Sequence, residues 1–401
     1  MAAAKSHIDV IAVETPSDIK RFLELPYDLY RGQPAWAPPL RLERSDQLNP
    51  EKNPAARNLD RQLFLAVQNG RDVGRIAAFT NPDHDAQHDS ETAFFGYFDT
   101  VDDPDVLQVL LDEAQNWAKV KGRTRLVGPA QWGVNEEVGL LIDGFEHPNV
   151  MLMPYGRPYY QPAVESAGFT KVVDMLAFQA DLNEGYPRPK MTRMMVDYAK
   201  RSDAITWRPL DSKDFHGEIT RAMHIFNDAW SDNWGFLPFP DEAIQHLAKE
   251  MKPLIAPERF LMGSIDGEFA AYLCLLPDLN ELSRGFDGKL LPFNWAKLVY
   301  RLKTQKAKQA RIPLMGLRKK YHNTRKGLAL VAALCEDSFE VARQAGFTHC
   351  ELSWILDDNE GMISICKQAS AKPYKTYRMY ENGSVNDESG IDSGWSARRR
   401  D

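Results

Sequence analysis

The sequence predicts a mixed α/β protein built from two similar halves, and three observations carry that prediction. A β-hairpin pattern occurs twice, roughly 200 residues apart, as Phe64-Leu65-Ala66-Val67-Gln68-Asn69-Gly70-Arg71-Asp72-Val73-Gly74-Arg75-Ile76 and as Phe260-Leu261-Met262-Gly263-Ser264-Ile265-Asp266-Gly267-Glu268-Phe269-Ala270-Ala271. Asn-Gly and Asp-Gly supply the left-handed backbone that a two-residue hairpin turn needs, between flanks rich in strand formers. A second echo is Ala167-Gly168-Phe169-Thr170 with Ala345-Gly346-Phe347-Thr348, where Gly follows the last turn of a helical pattern and a strand follows the Gly. The third is a sustained alternation of strand-like and helix-like patterns through the second half.

Taken in order, the first half, residues 1–183, holds the first hairpin, an aromatic strand around Phe94-Phe95-Gly96-Tyr97-Phe98 and a strand over 171–178. Residues 184–203 form the linker: Asn183-Glu184-Gly185-Tyr186-Pro187-Arg188-Pro189 is polar and turn-rich, and a short helix over 190–201 leads onward. The second half, 204–381, reads as strand 205–210, helices 215–230 and 241–254, hairpin 259–276, strand 312–317, helix 327–345, strand 349–356, helix 360–369 and strand 374–381. An insertion over 278–311 separates the hairpin from the next strand, and connections of that length either serve a purpose or are disordered. The tail, 382–401, offers almost nothing to bury and is expected to be disordered.

A chain of 401 residues exceeds what one core usually holds, which agrees with two domains. With 43% hydrophobic and 26% charged residues, collagenous, coiled-coil and wholly disordered readings are excluded. Lys and Arg number 49 against 56 Asp and Glu, a net charge of −7, so the chain lacks the basic footprint of a nucleic-acid binder and any polyanion site must be local. Four cysteines without a CxxC pair, and a start without an apolar signal core, fit a cytoplasmic protein. The apolar runs fall far short of the ~20 residues that cross a bilayer.

The local polyanion site has one strong candidate. Between strand 312–317 and helix 327–345 lie Arg318, Lys319, Lys320, Arg325 and Lys326, five cations within nine residues of an acidic protein. A helix N-terminus adds unpaired N–H groups and about half a positive charge, and Gly327 lets backbone approach a phosphate. A charge run by itself also reads as a solvated turn; its position at a strand-to-helix junction favours a bound anion.

On these residues the sequence resembles the GNAT superfamily of CoA-dependent N-acyltransferases, whose pyrophosphate loop runs Gln/Arg-x-x-Gly-x-Gly/Ala. Thr324-Arg325-Lys326-Gly327-Leu328-Ala329 matches, with Thr324 in place of Gln or Arg. The resemblance implies two tandem GNAT-like domains, the first degenerate because Asp99-Thr100-Val101-Asp102-Asp103-Pro104-Asp105 is acidic where a phosphate loop is expected. It further implies acyl-CoA as a substrate with no metal, bound by Leu317, Arg318, the 324–329 loop and Asn359, the last on the pantetheine arm. The family's general-acid Tyr position carries Cys366. Pro26-Tyr27-Asp28-Leu29-Tyr30, Asn227-Asp228-Ala229-Trp230-Ser231-Asp232-Asn233-Trp234-Gly235-Phe236 and Glu351-Leu352-Ser353-Trp354-Ile355-Leu356 are similar to the bacterial ceramide synthase group. That similarity implies a long-chain amine, a sphingoid base, as acceptor near Asn227, Trp230, Asn233 and Trp234.

Two further features bear on the acceptor. Leu290-Leu291-Pro292-Phe293-Asn294-Trp295 precedes residues 297–311, which hold six basic residues and no acid. A basic amphipathic helix beside exposed aromatics can touch the anionic inner face of a membrane; it can equally pack on the domain through Leu298 and Leu302. Trp230, Trp234, Phe236, Leu237 and Phe239 form either core or an apolar groove. For proton transfer, strand alternation turns Glu351 and His349 to one side as base candidates, with Tyr374, Tyr377 and Cys366 as acids. Asp83-His84-Asp85 with His88-Asp89 reads as a solvated turn, with metal ligation as the alternative, and Asn135-Glu136-Glu137 as a capped turn or a wall facing the acceptor. An aminoacyl-tRNA-dependent transferase and a non-catalytic CoA or lipid binder are the competing functions.

Overall fold

The computed structural model of the chain describes residues 7–383. The first half contributes β1 (Ile8–Ala12), α1 (Pro16–Leu29), α2 (Arg41–Leu48), α3 (Pro54–Arg57), β2 (Asp60–Gln68), β3 (Arg71–Thr80), α4 (Pro82–Gln87), β4 (Thr92–Thr100), α5 (Pro104–Val120), β5 (Arg125–Gly128), β6 (Leu140–Asp143), α6 (Tyr160–Ser166) and β7 (Thr170–Asp181). After α7 (Lys190–Arg201) come β8 (Ile205–Pro209), α8 (Phe215–Trp230), α9 (Asp241–Met251), β9 (Phe260–Ile265), β10 (Glu268–Pro277), α10 (Leu279–Leu282), α11 (Asn294–Lys303), β11 (Gln309–Leu317), α12 (Arg325–Gln344), β12 (His349–Leu356), α13 (Glu360–Gln368) and β13 (Lys372–Gly383).

The local signals act as their chemistry requires. Both hairpin turns take left-handed backbone at both central residues, Asn69 and Gly70 at φ 52° and 73°, Asp266 and Gly267 at 51° and 82°. Both Ala-Gly-Phe-Thr strings stop their helices alike: Phe169 N–H donates to Val164 at 3.3 Å and Phe347 N–H to Ala342 at 3.2 Å, with Gly168 and Gly346 at φ 86° and 88°.

One twisted sheet runs through both halves in the order β1-β2-β3-β4-β5-β13-β7-β12-β11-β10-β9-β8, with β6 on β13. The last strand of each half pairs with the fifth strand of the other: β13 lies against β5, and β7 against β12. Among the described residues only β4·β5 and β11·β12 are parallel. Helix α5 packs on the first-half sheet opposite α1, and α12 on the second-half sheet opposite α8. The linker helix α7 lies against α12, tied there by Arg188 and Lys200 to Glu336 at 2.8 and 2.9 Å.

At the exchange, three charged side chains are buried. Glu351 on β12 is fully enclosed, paired to Lys375 of β13 at 3.1 Å, and accepts the hydroxyls of Ser353 and Tyr374. Lys375 also donates to the Pro148 carbonyl at 2.7 Å, and Arg311 of β11 donates to Ser353 Oγ at 3.1 Å and to the Met151 carbonyl. Burial pushes the Glu351 carboxyl up, but Lys375, Arg311, Ser353 and Tyr374 outweigh it and hold it below the ordinary range.

Four expectations need correction. Strand β11 starts at Gln309, so Arg311 is an interior residue of the sheet and not the end of a basic helix. The expected polar loop after the first hairpin is helix α4, capped by Asn81; Asp85 is held by Arg123 and Asp89 by Arg125, at 2.6 and 2.7 Å. Asp99 and Thr100 are not in a loop but are the last two residues of β4, with Asp99 buried against Arg75 at 2.7 Å. Asn382 and Gly383, assigned to the tail, belong to β13 because that strand continues along β5; residues 384–401 lie outside the described residues.

Removing one partner of a buried ion pair leaves the other uncompensated, at a cost of about 3–5 kcal/mol. Glu351→Gln should lower stability by that order in urea unfolding, and adding Lys375→Met should recover part of the loss. Because the folded-state pKa of Glu351 is depressed, its stabilisation is complete above the ordinary carboxylate range and is lost as pH falls through the folded value. The acid limb of the stability curve should therefore be shallower in Glu351→Gln.

Candidate functional site

The parallel pairing of β11 with β12 ends at Ile312 and Leu352. Pro313 follows at once, and a residue without an N–H cannot continue a ladder. The strands splay, and the groove between them is lined by Ile312, Pro313 and Met315 on one side and by Ser353, Trp354 and Leu356 on the other. Trp230 and Asn233 close it from the α8 side, and Asn359 and Met362 from α13; it has room of about 30 Å³ for water-sized spheres. Trp230 is fixed by its indole N–H on the Met315 carbonyl at 3.0 Å, by stacking on Phe226 at 5.2 Å and by an edge contact with Trp354 at 5.8 Å.

Beyond β11 the chain enters α12 through the cationic segment. Thr324 caps the helix, its hydroxyl oxygen accepting Gly327 N–H at 3.0 Å. Gly327 is required for a reason internal to the loop: a Cβ there would sit 2.1 Å from the Tyr321 carbonyl oxygen. Ala329 on the next turn is buried against the core, while Leu328 is exposed. The cations are partnered. Lys326 pairs with Asp266 of the β9–β10 turn and Lys319 with Asp232, both at 2.6 Å; Lys320 reaches Glu268, and Arg318 donates to the Phe269 carbonyl at 2.9 Å. Arg325 lies over the Tyr198 ring at 4.0 Å. Exposed pairs of this kind contribute ~0–1 kcal/mol each, so a polyanion can displace them. The carbonyl of Leu317 meets the His322 ring at 2.8 Å, and Arg318 N–H is bonded to Ala270 at 2.8 Å.

The sequence-predicted residues separate into groups. Trp230, Asn233 and Asn359 line the groove; Asn359 also caps α13, its Oδ1 accepting Met362 N–H at 3.0 Å. Asn227 lies off the groove, its amide bridging both backbone groups of Phe239 and so holding the 231–240 loop on α8. Trp234 packs on the central core cluster. The three expected proton carriers do not line the groove. Cys366 is in the second-half core, its thiol pushed up to about 12 by burial; Tyr377 is fully buried in the central cluster; Glu351 reaches the groove only through Ser353. Sequence reasoning missed Ser353, Pro313 and Met362 as wall residues, although Pro interrupting a strand pattern is a signal for the splay. It also missed Arg311, which local patterning placed on a helix.

No family model matches the chain. The architecture is that of tandem GNAT proteins. A tandem GNAT protein from the clavulanic acid biosynthesis pathway superposes with a TM-score of 0.55 at 13% identity, covering 95% of this chain and all of that one. A GCN5-related N-acetyltransferase from Sphaerobacter thermophilus superposes at 0.51 with 12% identity, covering 96% and 98%. Within that class the sequence itself is closely related to a bacterial ceramide synthase from Caulobacter vibrioides, 39% identical over 384 residues, 94% of this chain and 98% of that protein. Protein YghO of Escherichia coli is 34% identical over 365 residues, 91% and 93% of the two chains. The chain belongs to the family of this bacterial ceramide synthase, and its fold is that of tandem GNAT proteins.

Gly327→Ala should cost about 1–3 kcal/mol through the clash with Tyr321, and Thr324→Ala about 1 kcal/mol through the lost cap. Urea midpoints of the two variants against the parent would measure both.

Proposed function

We propose that the protein is an acyl-CoA-dependent N-acyltransferase whose acceptor is a long-chain sphingoid base. The observations that carry this are an apolar groove at the splay of β11 from β12 and, where β11 runs on into α12, a helix N-terminus capped by Thr324 with Gly327 and the cations Arg318, Lys319, Lys320 and Lys326 around it. Charge-assisted hydrogen bonds of ~1.5–3 kcal/mol each suit a diphosphate there. The groove's apolar wall suits the arm that carries the thioester. In the transfer the amine nitrogen bonds to the acyl carbon, the carbon–sulfur bond breaks, and the proton the amine gives up ends on the departing CoA thiolate. Ser353, a wall hydroxyl bonded to the ionised Glu351 behind it, is the group available to relay that proton. The acceptor class comes from the name of the Caulobacter relative.

The insertion supports delivery of a lipid acceptor. Helix α11 packs inward through Leu298 and Leu302, while Leu291, Phe293 and Trp295 are 76%, 73% and 54% exposed, with Val299 and Tyr300 beside them. Lys297, Lys303 and Lys306 are exposed on the same segment. Apolar side chains within a basic surface fit an anionic bilayer, each cation contributing ~1 kcal/mol. Among the described residues no helix is long and apolar enough to cross a membrane.

Mixing the protein with a long-chain acyl-CoA and sphinganine should release free thiol and form an amide of the expected mass; release of thiol without amide, or neither, refutes the assignment. Lys326→Ala should raise the KM for acyl-CoA by roughly tenfold, the equivalent of one charge-assisted hydrogen bond, with a smaller effect on kcat. In co-sedimentation, vesicles containing phosphatidylglycerol should retain the protein at low salt, and Phe293→Ser with Trp295→Ser should release it.

A further inference from the structure

The first half carries a splay of its own. Pairing of β4 with β5 stops at Phe94 and Val127, just before Gly128 and Pro129. Beyond it lies a cleft with room of about 80 Å³ for water-sized spheres, against about 30 Å³ in the second-half groove. Aromatic side chains of α1 and the segments after it, including Tyr27, Tyr30 and Trp36, wall it together with Tyr97 and Tyr155. Two carboxylates reach it, each matched to a guanidinium. Asp99 is held by Arg75 at 2.7 Å and accepts the Tyr30 hydroxyl at 2.7 Å; Glu137 is held by Arg44 and accepts the Gln131 amide at 3.1 Å.

One group on that wall lacks a partner. Tyr97 is 2% exposed, yet its hydroxyl makes no hydrogen bond within the described residues. An unsatisfied buried hydroxyl costs ~1–3 kcal/mol. The residue also takes left-handed backbone, φ 47°, beside a register shift in the β3·β4 ladder. Neither feature repays its cost through the fold, and both place a hydrogen-bonding group on the cavity surface.

The chemistry of the walls selects a ligand class. The cavity has no lysine, and acidic residues Asp102 and Asp103 occupy the junction where the second half gathers cations, so a diphosphate is disfavoured. Aromatic faces attract ammonium groups, carboxylate edges accept N–H and O–H donors, and Tyr97 with the two guanidinium groups can bond hydroxyls. A group carrying both an amine and hydroxyls satisfies all of them. The rim adjoins the lipid-facing insertion: Arg41 N–H donates to the Gly288 carbonyl at 2.9 Å, and Gly288 packs against the Tyr27 ring and the Pro39 carbonyl.

We propose that the first-half cavity is a ligand site in its own right and takes the hydroxylated amine head group of an amphiphile. The proposal rests on the transferase reading only for the choice of a sphingoid probe. It is tested with the full-length protein and no acyl donor, so that turnover and binding are read independently. A short-chain sphinganine should bind by calorimetry, and Tyr97→Phe should weaken it about fivefold, the equivalent of one neutral hydrogen bond. The variant should unfold no earlier than the parent, because the hydroxyl it removes has no partner in the fold. A photoreactive sphinganine should label peptides containing residues 27–36 or 149–155. Absence of binding, an affinity unaltered by Tyr97→Phe, or label confined to residues 230–239 or 352–362 with none on 27–36 or 149–155 overturns the proposal.

Discussion

The structure depends on a pair of exchanged strands locked by buried charge. β13 and β7 lie side by side at the centre of the sheet, each bonded to the other half's fifth strand, so neither half has a complete sheet of its own. Burying Glu351, Lys375 and Arg311 there is costly unless every charge is matched. The match draws in both halves: Lys375 and Arg311 bond the carbonyls of Pro148 and Met151, which precede the exchanged strand β7 in the chain. A chain that mispaired β13 would leave a carboxylate and two cations enclosed without partners, which gives the network a part in specifying the exchange as well as holding it.

That centre fixes the position of two openings made by one device. In each half a parallel pair of strands separates where a proline or a Gly-Pro step interrupts the ladder, and a helix starts beyond the separation. The two openings then differ in what their walls carry. The second-half groove is mostly apolar, with Asn233, Ser353 and Asn359 as its polar groups, and the cations follow further along the chain at the turn into α12. The first-half cavity is aromatic, with paired ions and an unpartnered phenol, and its neighbouring helix α5 is capped by Asp103. One duplicated geometry thus carries divergent charge at its two openings.

Much of this organisation is legible in the sequence because it is set by residues close together in the chain. Asn69-Gly70, Asp266-Gly267, Gly168 and Gly346 dictate turns and helix ends by backbone sterics alone, so the duplication, the strand β12 and the helices α7 and α8 follow from local pattern. The cationic junction before α12 is legible for the same reason. The surroundings of Glu351, Tyr377 and Cys366 were not, since a local pattern gives the face a side chain points to and not what encloses it: all three are buried, and none lines the groove.

The sequence by itself determined the mixed α/β class, the two copies and the place of the cationic turn into α12, because turn sterics, periodicity and charge density act over a few residues. Only the tertiary structure decided that the copies exchange their last strands, that Arg311 belongs to the interior, and that Arg75, Asp99, Arg44 and Glu137 meet around one cavity. Those outcomes depend on which side chains neutralise one another across the fold, and pairings between distant residues leave no mark in the local pattern of the chain.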